Sequence, residues 1–170
     1  MIARLDFLAM AEAHCGALEL VSVQRDGNLS ANEESLAALT AIDGPLSVVA
    51  IAGPQRSGKS FLMNCLAEGS ARSTPLFQVG PNVHACTKGL WMWVGAAPNG
   101  ARTIFLDTEG LGAVKASQHT DLRTFGLSVL LSSLFIFNTT GAIDEAAIKQ
   151  LSFISKISKA IHIRADVRPN

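Results

Sequence analysis

Residues 53–60 read Gly-Pro-Gln-Arg-Ser-Gly-Lys-Ser, a complete G-x-x-x-x-G-K-[ST] string. The apolar run Leu46-Ser47-Val48-Val49-Ala50-Ile51-Ala52 precedes it, and the helix-forming Phe61-Leu62-Met63-Asn64-Cys65-Leu66 follows. Strand, glycine loop and helix in that order are the setting in which the string works as a phosphate loop, whereas a chance match in an ordinary glycine turn needs neither flank. Gly53 and Gly58 let the backbone wrap an oxyanion with successive amide N–H groups turned inward. The helix N-terminus adds a partial charge of roughly +0.5. Lys59 brings a point charge for β- and γ-phosphates, and the Ser60 hydroxyl is a hard oxygen ligand for Mg²⁺. The stretch points to a nucleoside triphosphate.

Working outward, strands and helices alternate. Ala17 to Val23 alternates loosely as a strand, and Arg25-Asp26-Gly27-Asn28 is turn chemistry for a hairpin or tight reversal. Asn32 is placed to cap a helix through about Ile42, with Leu36, Leu39 and Ile42 on one side, and Asp43-Gly44-Pro45 ends it. The phosphate-loop helix runs to about Ala67. From Glu68 to Cys86 the composition turns to Gly, Ser, Pro, Asn and Thr, a long loop of the kind that is often functional. Gly89 to Val94 is the next strand, Ala97-Pro98-Asn99-Gly100 a turn, and Thr103 to Asp107 a short buried strand ending on a carboxylate. A helix from about Asp121 to Ser133, a strand from Leu134 to Asn138 and a helix from about Asp144 complete the series. In that last helix Ile143, Ala147, Ile148, Leu151, Ile154, Ile157 and Ile161 form an apolar stripe. The pattern predicts an α/β fold of P-loop NTPase type. Its sheet is expected to be mainly parallel with helices on both faces, and its ligands to lie beyond the carboxyl ends of the strands.

Asp107-Thr108-Glu109-Gly110 has the D-x-x-G form. A carboxylate at a strand's end can hold the metal directly or through water, and Gly110 lets a backbone N–H approach the γ-phosphate. The alternative is a strand capped by an ordinary Asp. Between the motifs lies Cys86-Thr87-Lys88-Gly89, where a threonine on a mobile segment can reach Mg²⁺ through its hydroxyl and the γ-phosphate through its amide. Thr87 is otherwise a surface residue. Arg56, inside the loop, can fold over the β/γ-phosphates as an arginine finger from within the same chain, or simply face solvent. Trp91 and Trp93 read as packing, and His84, Cys86 and His119 are too scattered for a metal site.

Composition narrows the classes. The 170 residues suit one domain; 48% are apolar and 16% charged, which describes a globular chain. Net charge is zero, so nothing overall favours nucleic acid or an anionic membrane. Lys149, Lys156, Lys159, Arg164 and Arg168 read as a solvated helix face. Three widely spaced cysteines, Cys15, Cys65 and Cys86, fit neither a disulfide framework nor zinc, which makes the cytoplasm the default compartment. The N-terminus does not read as a signal peptide, and the longest apolar stretch, about Gly126 to Phe137, is too short to span a bilayer. Val167 to Asn170 contains no cysteine for a C-terminal lipid anchor.

Three stretches together, Val48 to Leu66, Thr87-Lys88-Gly89-Leu90-Trp91-Met92-Trp93 and Leu106-Asp107-Thr108-Glu109-Gly110-Leu111-Gly112, resemble the guanylate-binding proteins. These are dynamin-like large GTPases related to the atlastins. Ser128 to Ser133 before Phe135-Ile136-Phe137-Asn138 is also similar. The Thr-Lys-Gly-x-Trp-Met-Trp string is far more specific than the phosphate loop. The resemblance runs from about Leu18 to Ile161 but covers only the front part of that family's G domain. It implies residues 1–170 as a partial G domain, with phosphate loop 53–60, switch I at about 68–88 and switch II at about 107–120.

The same resemblance implies Mg²⁺-dependent GTP hydrolysis and nucleotide-dependent pairing of G domains head to head, or pairing with a longer relative. It carries Arg56 over as the arginine finger, Lys59 and Ser60 as phosphate and metal contacts, and Thr87 as the switch threonine. Asp107 becomes the metal-side carboxylate, Gly110 the γ-phosphate amide, and Glu109 an indirect organiser of the attacking water. Gly53, Gln55, Ser57, Gly58 and Phe61 complete the expected nucleotide contacts. Three departures stand out. Ala85 occupies the position where the family commonly has a proton-relaying serine, which predicts slower hydrolysis. The Arg-Asp pair that reads guanine is expected after a later strand, and Arg164-Ala165-Asp166 has the wrong spacing. The guanine-capping loop and helical stalk are not in the sequence, so the chain is expected to stop short of the guanine-recognition strand. A catalytically silent nucleotide-binding or interaction module, and an ATP-using P-loop enzyme, are the alternative readings.

Overall fold

A computed structural model of the protein describes residues 16–68, 75–79, 89–96, 101–108 and 118–160. Strands β1 (Leu18–Val23) and β2 (Leu29–Ala31) form the expected antiparallel hairpin. The Asp26 carboxylate closes its turn by accepting from the Asn28 backbone N–H at 2.9 Å and the Asn28 side chain at 2.8 Å. Those hydrogen bonds, the backbone one foremost, favour the ionised form and lower the Asp26 pKa. Helix α1 (Glu33–Thr40) starts where Asn32 accepts the Ser35 N–H at 3.0 Å, as the capping residue predicts. Ser35 then docks the helix on β1 through its hydroxyl, 2.7 Å from the Glu19 carbonyl. The buried side is Ser35 and Ala38, with Leu39 and Ile42 partly buried. Leu36, expected on that side, is 44% exposed because the docking face is set by Ser35.

The remaining elements are β3 (Leu46–Ala52), α2 (Lys59–Glu68), β4 (Leu90–Ala96), β5 (Arg102–Thr108), α3 (Gln118–Leu131), β6 (Leu134–Phe137) and α4 (Glu145–Ala160). One six-stranded sheet has the order β2-β1-β4-β5-β3-β6. The α/β architecture is as expected, but the sheet is mixed. β3 pairs in parallel with β5 and β6, while β5–β4, β4–β1 and β1–β2 are antiparallel. The cause is connection length: only residues 97–101 separate β4 from β5, and a parallel crossover needs about a dozen residues or more. α3 begins and ends slightly earlier than the periodicity suggests.

Helices cover both faces. On one, Ala50, Met92, Ile104 and Leu106 meet Ala38 of α1 and Leu127 of α3, and Phe125 of α3 packs edge-on to Phe135 with centroids 5.5 Å apart. On the other, Val49, Ile51, Trp91, Trp93, Phe105 and Ile136 meet Met63 of α2. Trp93 and Phe105, opposite each other on β4 and β5, lie 5.8 Å apart, so the tryptophans are packing residues. Leu76 and Phe77 are buried in this second layer. Asn64 of α2 holds them, its side chain accepting the Phe77 N–H at 2.8 Å and donating to the Phe77 carbonyl at 2.9 Å. Within the segment read as a polar loop there is therefore an apolar anchor.

The described residues up to Thr140 form one compact unit and those from Gly141 onward another. In the second unit Asp144 caps α4 by accepting the Ala147 N–H at 2.8 Å. Of the expected stripe, Ala147 is buried, whereas Ile143, Ile148 and Leu151 are exposed. Among the described residues, no helix is long and apolar enough to cross a membrane.

Candidate functional site

The phosphate-loop sequence forms a loop between the carboxyl end of β3 and the first residue of α2. Its curvature comes from three residues with positive φ: Gly53 at 150°, Arg56 at 64° and Gly58 at 85°. The two glycines are needed for different reasons. A Cβ on Gly53 would collide with the Asn138 carbonyl oxygen, whereas a Cβ on Gly58 would meet nothing within 4 Å. Space and angle exclude side chains at Gly53; the angle alone disfavours them at Gly58. Arg56 is exposed and bears the left-handed conformation without being glycine, a strain of order 1–2 kcal/mol that clusters at functional sites.

Both loop ends converge on the Pro54 carbonyl, which accepts from the Ser57 N–H at 3.4 Å and from Lys59 Nζ at 2.9 Å. Lys59 is a buried cation, 6% exposed, held at the mouth of a helix whose first turn closes with Leu62 N–H donating to the Gly58 carbonyl at 2.9 Å. One residue on, Ser60 Oγ donates to Asp107 Oδ2 at 2.5 Å. Asp107 is fully buried on β5 and Ser60 is half-buried. These residues are 47 positions apart in sequence, and the parallel pairing of Ile51 with Asp107 brings them together. A hydroxyl and a carboxylate at this distance make a hard-oxygen pair suited to a small divalent cation that takes its other ligands from phosphate and water. The donor set fits Mg²⁺. Among the described residues, no group of three or more His, Cys, Asp or Glu forms a metal site of its own.

Of the residues singled out from sequence, the structure brings Gly53, Gln55, Arg56, Ser57, Gly58, Lys59, Ser60, Phe61 and Asp107 into one region. Gln55 is partly exposed, and Phe61, early in α2, is exposed. Thr87, Glu109 and Gly110 lie outside the described residues, as do Ala85, Arg164 and Asp166.

Two further residues emerge that spacing did not single out. Thr108 is buried, and its hydroxyl donates to the Ile51 carbonyl at 2.9 Å, tying the end of β5 to the strand beneath the loop. Asn138, just beyond β6, donates its backbone N–H to the Ala52 carbonyl at 2.8 Å. Its side-chain amide donates to the Ser57 carbonyl at 2.7 Å and, more weakly, to Ser57 Oγ at 3.3 Å. The available signal was a lone amide directly after an apolar strand, on the side where the ligand loops emerge.

Comparison with known proteins adds independent findings. A family model described as guanylate-binding protein, N-terminal domain, matches residues 26–170. Guanylate-binding protein 6 of Mus musculus is 43% identical over 144 residues, 83% of this chain and 23% of that protein. Guanylate-binding protein 1 of Homo sapiens is 42% identical over 148 residues, 85% and 24% respectively. Guanylate-binding protein 7 of Homo sapiens is 39% identical over 163 residues, 94% and 25%. The chain thus spans about a quarter of the length of these curated relatives. Among solved structures, an Era variant of Aquifex aeolicus bound to GDP and aluminium fluoride aligns with TM-score 0.54 and 26% identity, over 67% of this chain and 38% of that one. Era in complex with MgGDPNP and a stretch of 16S ribosomal RNA aligns with TM-score 0.53 and 26% identity, over the same shares.

Proposed function

The chain belongs to the guanylate-binding protein family, and from that premise we propose that it binds GTP together with Mg²⁺ and hydrolyses the β–γ phosphoanhydride. The observation that carries this reading is the 2.5 Å contact of Ser60 Oγ with Asp107 Oδ2 beside the phosphate loop and the buried Lys59. A fully buried carboxylate is costly unless compensated, and hydroxyl and carboxylate oxygens together suit a site where charge is neutralised.

The loop amides and the α2 N-terminus bind the β-phosphate, and Lys59, whose ammonium has three donors, reaches the β- and γ-oxygens from its position over Pro54. Ser60, Asp107 and Thr87 would hold the metal, which would supply positive charge to neutralise that developing on the β/γ oxygens. Arg56 folds its guanidinium over the same oxygens, supplying in cis the charge that an arginine finger brings. Thr87 and Gly110 direct backbone amides at the γ-phosphate, and Glu109 helps orient the attacking water. Ala85 provides no hydroxyl to relay the water's proton, which makes turnover slow. Pairing of two nucleotide-loaded copies through this face, or of one copy with a longer relative, and a cytoplasmic setting belong to the same proposal.

The test is competition of GTP and ATP against a fluorescent guanine nucleotide with Mg²⁺ and with EDTA, followed by single-turnover phosphate release. Mg²⁺-dependent retention of GTP over ATP and slow release of phosphate are the expected results. No retained triphosphate in folded protein defeats the reading, and retention without phosphate release reduces it to a silent nucleotide-binding module.

A further inference from the structure

We propose that Asn138 is a positioning residue that sets the phosphate loop in its anion-receiving shape before any ligand arrives. Three contacts from this one residue address both ends of the loop. Its backbone N–H fixes the Ala52 carbonyl where β3 hands over to the loop, and its own carbonyl oxygen lies against Gly53, where only a missing side chain permits the approach. Its side-chain amide grips the Ser57 carbonyl at 2.7 Å, on the far side of the turn.

The third contact has a directional effect. In a planar trans peptide the carbonyl and the following N–H point in opposite directions. Drawing the Ser57 carbonyl toward Asn138 therefore turns the Gly58 N–H away from Asn138 and toward the oxyanion the loop encircles. Gly58 has φ of 85° with open space around its Cα, so its own packing does not choose that orientation. A loop containing two glycines has many competing peptide-plane settings, and the amide of Asn138 selects one of them. The inference rests on the triphosphate reading for its purpose but not for its geometry. Asn138 itself lies outside the expected machinery and reaches the loop from just beyond β6.

The experiment compares Asn138→Asp and Asn138→Ser in the 170-residue chain with wild type. Aspartate keeps the shape and removes the donor; serine is too short to reach Ser57 and adds no charge. Amide hydrogen exchange is followed without nucleotide, and the affinity for a fluorescent GTP analogue with Mg²⁺ is measured well below the melting temperature. Both variants are expected to exchange faster across residues 55–58 while β4 and β5 keep wild-type rates, and to bind the analogue about tenfold more weakly. Wild-type loop exchange and affinity within about twofold of wild type overturn the proposal. Acceleration spread evenly over all strands also overturns it, because that is the signature of a structural residue alone. If wild type itself retains no triphosphate, the functional reading fails, and loop exchange still decides the role of Asn138.

Discussion

Arg56 combines two properties that ordinarily conflict, an exposed cationic side chain and a left-handed backbone. Glycine would relieve the backbone at no steric cost, so an arginine at this point is best explained by its guanidinium. Arg56→Gly is therefore an informative variant: it keeps the loop's left-handed conformation accessible and removes the guanidinium together with its side chain. Single-turnover phosphate release is expected to fall by about 10³-fold or more, while affinity for a non-hydrolysable GTP analogue changes by less than about tenfold. Unchanged turnover would eliminate the finger role. At this scale the sequence was legible wherever chemistry follows local spacing, as with Gly53, Gly58, Lys59 and Ser60. Asp107 was legible because a buried strand led into it. Asn138 and Thr108 were not, since each acts through a backbone carbonyl far away in sequence, and such a carbonyl belongs to every residue type alike.

At the scale of elements, the parallel trio β5-β3-β6 carries the phosphate loop, Asp107 and Asn138, while β4, β1 and β2 extend the sheet as an antiparallel wing. Alternation of strands and helices gave the first part, but the direction of β4 was encoded in its short sequence separation from β5. The Leu76-Phe77 anchor was hidden because two apolar residues amid Gly, Ser, Pro and Thr produce no periodic signal. Its burial and the contact with Asn64 reveal it. Phe77 is essentially solvent-free, so Phe77→Ala is expected to cost about 3–5 kcal/mol in denaturant unfolding. Asn64→Ala, which leaves the Phe77 backbone groups without their partner, is expected to cost about 2 kcal/mol. Because both changes release the same segment, the double variant should fall short of the sum. Full additivity would mean that the anchor and its clamp act separately.

For the molecule as a whole, a ligand that binds only the folded state stabilises it by mass action. GTP with Mg²⁺ at about a hundred times its dissociation constant is expected to raise the melting temperature by about 5–10 °C, and EDTA to remove most of the gain. A scan without any nucleotide-dependent shift would count against a competent site. The order of the sheet also has a temporal consequence. β3, which leads into the phosphate loop, finds its parallel neighbours only among much later residues: Val48 pairs with the Ser133 hydroxyl across 85 positions. On a ribosome, the phosphate-loop sequence therefore leaves the exit tunnel long before the strands that shape it. A nascent chain cut short of β6 holds every residue of the G-x-x-x-x-G-K-[ST] string and still lacks the clamp that gives it form.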